Sequence, residues 1–131
     1  MRLLLDTHIW IWSYGEPHKL AHKVAAELRN PDNEIWLSPV SVWELTLLTR
    51  EGRLNLEGSV SEWVQAALTR KSMNEAPLTT EVALAILDIQ LPQRDPADLF
   101  LAATAKVFDL TLVTADTHLL GVPRLSTLAN R

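Results

Sequence analysis

Two short apolar runs lie near opposite ends of the chain, Leu3-Leu4-Leu5 and Leu110-Thr111-Leu112-Val113-Thr114. Each is followed within two residues by a carboxylate, Asp6 after the first and Asp116 after the second. Runs with so little alternation fit parallel strands whose two faces are both covered by helices. A charged group just past such a strand lies at the carboxyl edge of the sheet, where open α/β folds keep their ligand crevice. Two acids reaching one rim from distant parts of the sequence predict an acidic pocket.

Between these runs the spacing is mostly helical. A helix is expected to start at Thr7 behind Asp6. The stretch from His18 to Asn30 carries Leu20, Val24, Ala25 and Leu28 at helical intervals and stops at Pro31-Asp32-Asn33. Glu34 to Leu37 reads as a short strand, and Ser38-Pro39 as an N-cap with proline at the first helical position. That helix covers 39–51. The next covers 60–72, with Val60, Trp63, Val64, Ala67 and Leu68 on one face. Another spans Thr80 to Ile89, and Asp95-Pro96 opens a last long helix reaching Phe108. Ala76-Pro77-Leu78 is expected to add a short strand, at its start or on an edge because proline cannot donate to a ladder. Strands alternating with helices imply parallel pairing by right-handed crossovers. Apart from the echo of Asp6-Thr7-His8 in Asp116-Thr117-His118, no repeat or linker is visible, so residues 1–131 are read as a single domain.

Composition narrows the chemistry. The 131 residues are 47% hydrophobic and 21% charged, enough for one sizeable core. With no cysteine, thiolate nucleophiles, cysteine-based zinc sites and disulfides are all excluded. No apolar run approaches the ~18 residues of a membrane span, and no export signal is visible, so a cytoplasmic location is expected. The net charge of −4 argues against simple electrostatic clamping of nucleic acid. It leaves room for a nuclease that borrows its positive charge from a metal ion.

Each acid has an ordinary structural explanation. Asp6 can cap the helix at Thr7. Ser41-Val42-Trp43-Glu44 fits a capping box, Asp98 suits a first helical turn, and Asp116 suits an Asx turn. Together they ask for more. Asp6 and Asp116 follow strands, Asp98 opens the helix leading into the second of them, and Glu44 sits near the start of the helix after 34–37. If Ser38 is the true cap, Glu44 lies one turn too deep for a capping box. Four carboxylates converging on one rim repel by several kcal/mol unless protons or cations neutralise them. Oxygen-only donors suit Mg²⁺ or Mn²⁺, and such an ion can activate a water for in-line attack on a phosphodiester. No cysteine and no recognisable Ser/His pairing offers a covalent route instead.

Four segments carry a resemblance: Leu3-Leu4-Leu5-Asp6-Thr7, Ser38-Pro39-Val40-Ser41-Val42-Trp43-Glu44-Leu45, Arg94-Asp95-Pro96-Ala97-Asp98 and Leu112-Val113-Thr114-Ala115-Asp116. In order and spacing they resemble the PIN-domain family, and in particular its VapC-type ribonuclease toxins from type II toxin–antitoxin pairs. The resemblance implies a three-layer α/β/α fold with a central, mainly parallel sheet. It also implies a Mg²⁺- or Mn²⁺-dependent endoribonuclease whose acids are Asp6, Glu44, Asp98 and Asp116. Of these, Asp6, Asp98 and Asp116 are assigned to the metal, and Glu44 to orienting water or a second ion. The expected partners are transfer or ribosomal RNA, a cognate antitoxin laid into a groove, and a second copy of the chain. One departure stands out: many relatives carry arginine after the third acid, where this chain has Leu99. Arg94 or another basic residue would have to substitute. Otherwise the chain fits the alternative of a catalytically weak PIN-like binding or regulatory module.

Other residues lie beside the acids in the sequence or carry chemistry of their own. His8 and His118 favour packing near the site over a mixed metal site, having no recognised zinc spacing. The hydroxyls of Thr7 and Thr114 suit either a metal-bound water or local hydrogen bonding. The five tryptophans offer base stacking, but core or interface packing is the expectation in so small a domain. The helices at 39–51 and 60–72, with Leu54 and Leu56 between them, form an apolar pair that fits partner binding. A receiver-like phosphoacceptor domain fits poorly, because the first strand ends in one acid and no lysine follows Lys106.

Overall fold

The computed structural model describes every residue except Lys71, Gln93 and Arg94. Its five strands are β1 (Arg2–Leu5), β2 (Glu34–Leu37), β3 (Met73–Glu75), β4 (Thr111–Thr114) and β5 (Thr127–Ala129). They form one all-parallel sheet in the order β3-β2-β1-β4-β5. The helices are α1 (Thr7–Gly15), α2 (His22–Arg29), α3 (Pro39–Arg50), α4 (Val60–Arg70), α5 (Thr80–Ala85), α6 (Pro96–Val107) and α7 (Thr117–Leu120).

Alternate residues of the two central strands feed opposite faces, as the pleat requires. Leu4 and Leu112 join the core beneath α5 and α6, with Val82, Leu101 and Ala102. Leu3, Leu5 and Val113 join the core beneath α1, α2 and α4, with Trp10, Val24 and Val64. The result is three layers, helix on sheet on helix. Because neither face meets water, the strands need no polar alternation, which is why both apolar runs were legible.

The strand order decides where a site can form. From β1 the chain works outward through β2 and β3, then returns to the opposite side of β1 for β4 and β5. The order reverses between β1 and β4, whose register pairs Leu5 with Val113. The crevice at such a switch point opens beyond the carboxyl ends of those two strands. Asp6 and Asp116 are the acids found there, and the Asp6 amide extends the pairing by donating to the Val113 carbonyl at 3.0 Å.

Several elements differ from these expectations. The helix expected from His18 starts at His22, after a 3₁₀ turn at Pro17–Lys19 and an extended Leu20-Ala21. The strand expected at 76–78 lies three residues earlier, at Met73–Glu75, with Ala76 donating one last bond to the Leu37 carbonyl. As a short edge strand exposed over most of its length, it carries no hydrophobic signal. The helix expected to run to Ile89 tightens into a 3₁₀ turn at Ile86–Asp88. β5 was not anticipated. It is three half-buried residues paired with β4, and Asn130 continues the ladder to the Thr114 carbonyl.

Candidate active site

Each expected acid has its own local reason for its place. Asp6 is the N-cap of α1: its Oδ1 accepts the Thr7 amide at 2.7 Å, while Oδ2 accepts the Thr114 hydroxyl at 2.7 Å. Asp116 is the N-cap of α7, accepting the His118 amide at 2.8 Å, with His118 Nδ1 3.3 Å from the same oxygen. Thr114 ties the two acids together. Fully buried at the end of β4, its hydroxyl accepts the Asp116 amide at 3.0 Å while donating to Asp6. Capping and site geometry are therefore two uses of the same carboxylates, which cap helices and also line the crevice.

Glu44 is not part of a capping box. Ser38 is the cap of α3, accepting the Val40 amide at 3.1 Å, and Glu44 lies beyond the first turn. Its Oε1 accepts instead from the buried Thr7 hydroxyl, which also lies 2.9 Å from the buried Ser41 Oγ. The threonines that follow the first strand and end the fourth thus hold carboxylates rather than standing free. Asp95 caps α6, accepting the Ala97 amide at 3.0 Å. Asp98, in the first turn of α6, accepts no hydrogen bond among the described residues.

All four expected acids line a single cleft of about 410 Å³. A fifth, Asp95, lines it too, beside Ala115 and a wall formed by His8, Ile9 and Trp12 of α1. Sequence reasoning assigned Asp95 only to the start of a helix. The signal available was its spacing: Asp95 and Asp98 are three apart across an N-terminus, so both carboxylates lie on the same side of the first turn. His118 sits at the rim against Asp116, in the mouth of a neighbouring depression. Leu99 is half-buried and packs on the core under α6. Arg94, named as a substitute for the missing arginine, lies outside the described residues.

The electrostatics follow from that crowding. Burial, then the charges of Asp95, Asp6, Asp116 and Glu44, push the Asp98 carboxyl from its ordinary 3.8 up to about 7. Burial also raises Asp6, against the opposing effects of its Thr114 and Thr7 hydrogen bonds and of nearby His8. Glu44 is raised by burial and by the charges of Asp6 and Asp95, against its bond from Thr7. Asp98, Asp6 and Glu44 are thus harder to ionise than in water, and Asp98 holds its proton to about pH 7. Neither lysine nor arginine is among the described residues lining the cleft.

The sequence profile of the PIN domain family matches residues 3–125. The chain belongs to the PIN domain family. This PIN domain is 30% identical over 118 residues to Ribonuclease VapC22 of Mycobacterium tuberculosis, covering 89% of this chain and 88% of that protein. In fold it is similar to VapBC2 from Rickettsia felis, solved bound to a DNA fragment from its promoter. There the TM-score is 0.71 with 17% identity over 98% of each chain. The DNA-bound VapBC of Salmonella typhimurium matches with a TM-score of 0.68 and 16% identity, over 100% of this chain and 99% of that one.

A divalent cation fits the donor set of this PIN domain in charge and in chemistry: oxygen ligands, surplus negative charge and no lysine or arginine among the described lining residues. Among the described residues, no three of these side chains already converge as a closed cage. Mg²⁺ tolerates that, since it commonly takes one or two carboxylates and keeps several waters.

Proposed function

We propose that this chain is a Mg²⁺- or Mn²⁺-dependent endoribonuclease and the toxin of a toxin–antitoxin pair. The observation that carries the reading is the crowding of five carboxylates from β1, α3, α6 and β4 around one cleft, enough to hold the Asp98 proton to about pH 7. A protein gains nothing in stability from such repulsion, so a cationic occupant is the physical reason to keep it. The similarity to a protein named as a ribonuclease supplies the substrate class. Structural neighbours that include a toxin–antitoxin complex from Klebsiella pneumoniae suggest the protein partner.

In this reading Asp6, Asp98 and Asp116 hold the cation, and Glu44 orients the attacking water or a second ion. When bound, the cation would supply an acidified water and positive charge against the phosphodiester. The rest falls to the chain. Thr114 and the Thr7 amide fix the plane of Asp6, the His118 amide fixes Asp116, and the Thr7 hydroxyl fixes Glu44. Asp98 accepts no such bond among the described residues, and its carboxylate would offer the cation an oxygen donor once ionised. With no covalent intermediate, the products should carry 5′-phosphate and 3′-hydroxyl ends.

Incubation with transfer and ribosomal RNA in Mg²⁺, in Mn²⁺ and in chelator tests this. Cleavage to those ends, lost in chelator, is the expected result. Cyclic 2′,3′-phosphate ends, or cleavage that survives chelator, would overturn it. The weaker binding-module reading draws on Leu99, whose packing on the core leaves no basic side chain at that position. It predicts RNA binding without turnover. A homodimer is also proposed, motivated by large apolar side chains left exposed at Leu78, Leu84 and Leu87. A light-scattering mass of one chain would rule it out.

A further inference from the structure

The cleft has a wall that none of the acid chemistry uses. His8 and Trp12 lie one turn apart on α1 and both line the cleft. Their ring centroids are 5.8 Å apart with planes tilted at 51°. Trp12 is half-buried, packed in part on the core beneath α1 and bordering the cleft with the remainder. The exposed Lys19 places its ammonium 5.6 Å from the Trp12 ring centroid, and Glu16 Oε2 restrains that ammonium at 2.5 Å. The other tryptophans of this layer are differently employed. Trp10 is fully buried, and Trp63 packs edge-on against Trp10 at 5.3 Å and against Tyr14 at 5.9 Å.

We propose that Trp12, with His8 beside it, is a stacking surface for an unpaired RNA base next to the scissile phosphate. The inference rests on the ribonuclease reading and adds a residue that positions the substrate strand, through a base free to stack. The physical reason is charge. Five carboxylates repel a phosphate chain, so the strand needs an attraction that does not depend on its phosphates, and a base stacked on an indole supplies one. Lys19, its ammonium over the Trp12 ring and paired with Glu16, helps to hold the indole in place. A base inside a duplex has both faces occupied and cannot use the wall, whereas a loop base can.

Trp12→Leu keeps apolar bulk against the core but removes the aromatic face, and Trp12→Phe keeps a smaller one. Thermal melts establish that both variants are folded. With a single-stranded oligoribonucleotide, Trp12→Leu should lower kcat/KM roughly ten-fold, most of it through KM, and Trp12→Phe should recover much of that loss. An abasic nucleotide beside the cleaved bond should weaken wild type as much as the variant, so that the two changes together do little more than either alone. A fluorescein-labelled single-stranded RNA of mixed sequence, titrated in chelator, gives the same comparison without turnover. Binding weakened by Trp12→Leu, in a wild type that fails to cleave, would retain the stacking surface and reject the nuclease. Cleavage with wild-type KM in Trp12→Leu, equal preference for duplex, or additive effects of the variant and the abasic site would overturn the stacking surface and leave the nuclease standing. A wild type that neither binds nor cleaves RNA would overturn both.

Discussion

At the scale of single residues, the site is a set of compromises between helix capping and charge crowding. Asp6, Asp95 and Asp116 each satisfy an amide at a helix start, which offsets part of what their mutual repulsion costs. Asp98 has no such bond among the described residues, and its carboxyl is pushed up to about 7. The sign of the consequence follows directly. An unfolded Asp98 ionises at about its ordinary 3.8, and the folded one at about 7, so between those values the folded state holds a proton that the unfolded state has lost. That contribution favours folding below the window, shrinks as pH rises through it, and leaves the ionised group as a net penalty above it. Thermal midpoints in chelator should therefore fall more steeply between about pH 5 and about pH 7.5 for wild type than for Asp98→Asn. A steeper fall in Asp98→Asn than in wild type would mean that the carboxyl is stabilised by ionising, and the crowding argument would fail.

At the scale of elements, α3 separates structural acids from functional ones. Ser38 does the capping, at the turn between β2 and α3, so Ser38→Ala should lower stability by ~1 kcal/mol whether or not a cation is present. Glu44, deeper in the helix, is raised in pKa by burial and by the charges of Asp6 and Asp95. Glu44→Gln keeps an oxygen for the Thr7 hydroxyl and removes a charge from the cluster. It should leave metal-free stability unchanged or higher while cleavage is lost. Urea titrations of the two variants in chelator make the comparison, and a destabilised Glu44→Gln would return that residue to a structural role. The same element shows what sequence signals can carry. Ser38-Pro39 marked the helix start correctly because capping is local chemistry. β3 and β5, three residues each, were misplaced or missed because their bonding partners lie on β2 and β4.

At the scale of the whole molecule, the sheet order brings together carboxylates as far as 110 positions apart in the chain, Asp6 and Asp116. An ion bound there would tie β1, α3, α6 and β4 into one unit and stabilise only the folded state. Added Mg²⁺ should raise the melting temperature of wild type, by a margin equivalent to ~2.7 kcal/mol at a hundred times the dissociation constant. Asp6→Asn should show a much smaller rise. Equal Mg²⁺ stabilisation of the two would mean that the ion binds elsewhere or that Asp6 is no ligand. The proposed partner surfaces also belong to this scale. Trp63, which sequence reading placed on an apolar helix pair open to a partner, packs against Trp10 and Tyr14 instead. Truncating it would unsettle the core, so it is a poor probe of that groove.

The sequence by itself determined the layered α/β/α plan, because apolar runs and helical periods record burial, and burial is set residue by residue. It also marked four of the acids: Asp6 and Asp116 follow strands, Asp98 opens a helix, and Glu44 lies too deep in α3 to be a cap. Local position relative to an element is written in the chain. Tertiary structure alone decided the rest. The reversal of strand order between β1 and β4 made one rim out of two distant segments. The parallel pairing set Thr114 between Asp6 and Asp116, and the packing of α1 against α3 brought the Thr7 hydroxyl to Glu44. Asp95 and Trp12 joined the cleft for the same reason. Which side chains share a cavity depends on the docking of whole elements, and the energies that fix that docking come from contacts between residues the chain keeps far apart.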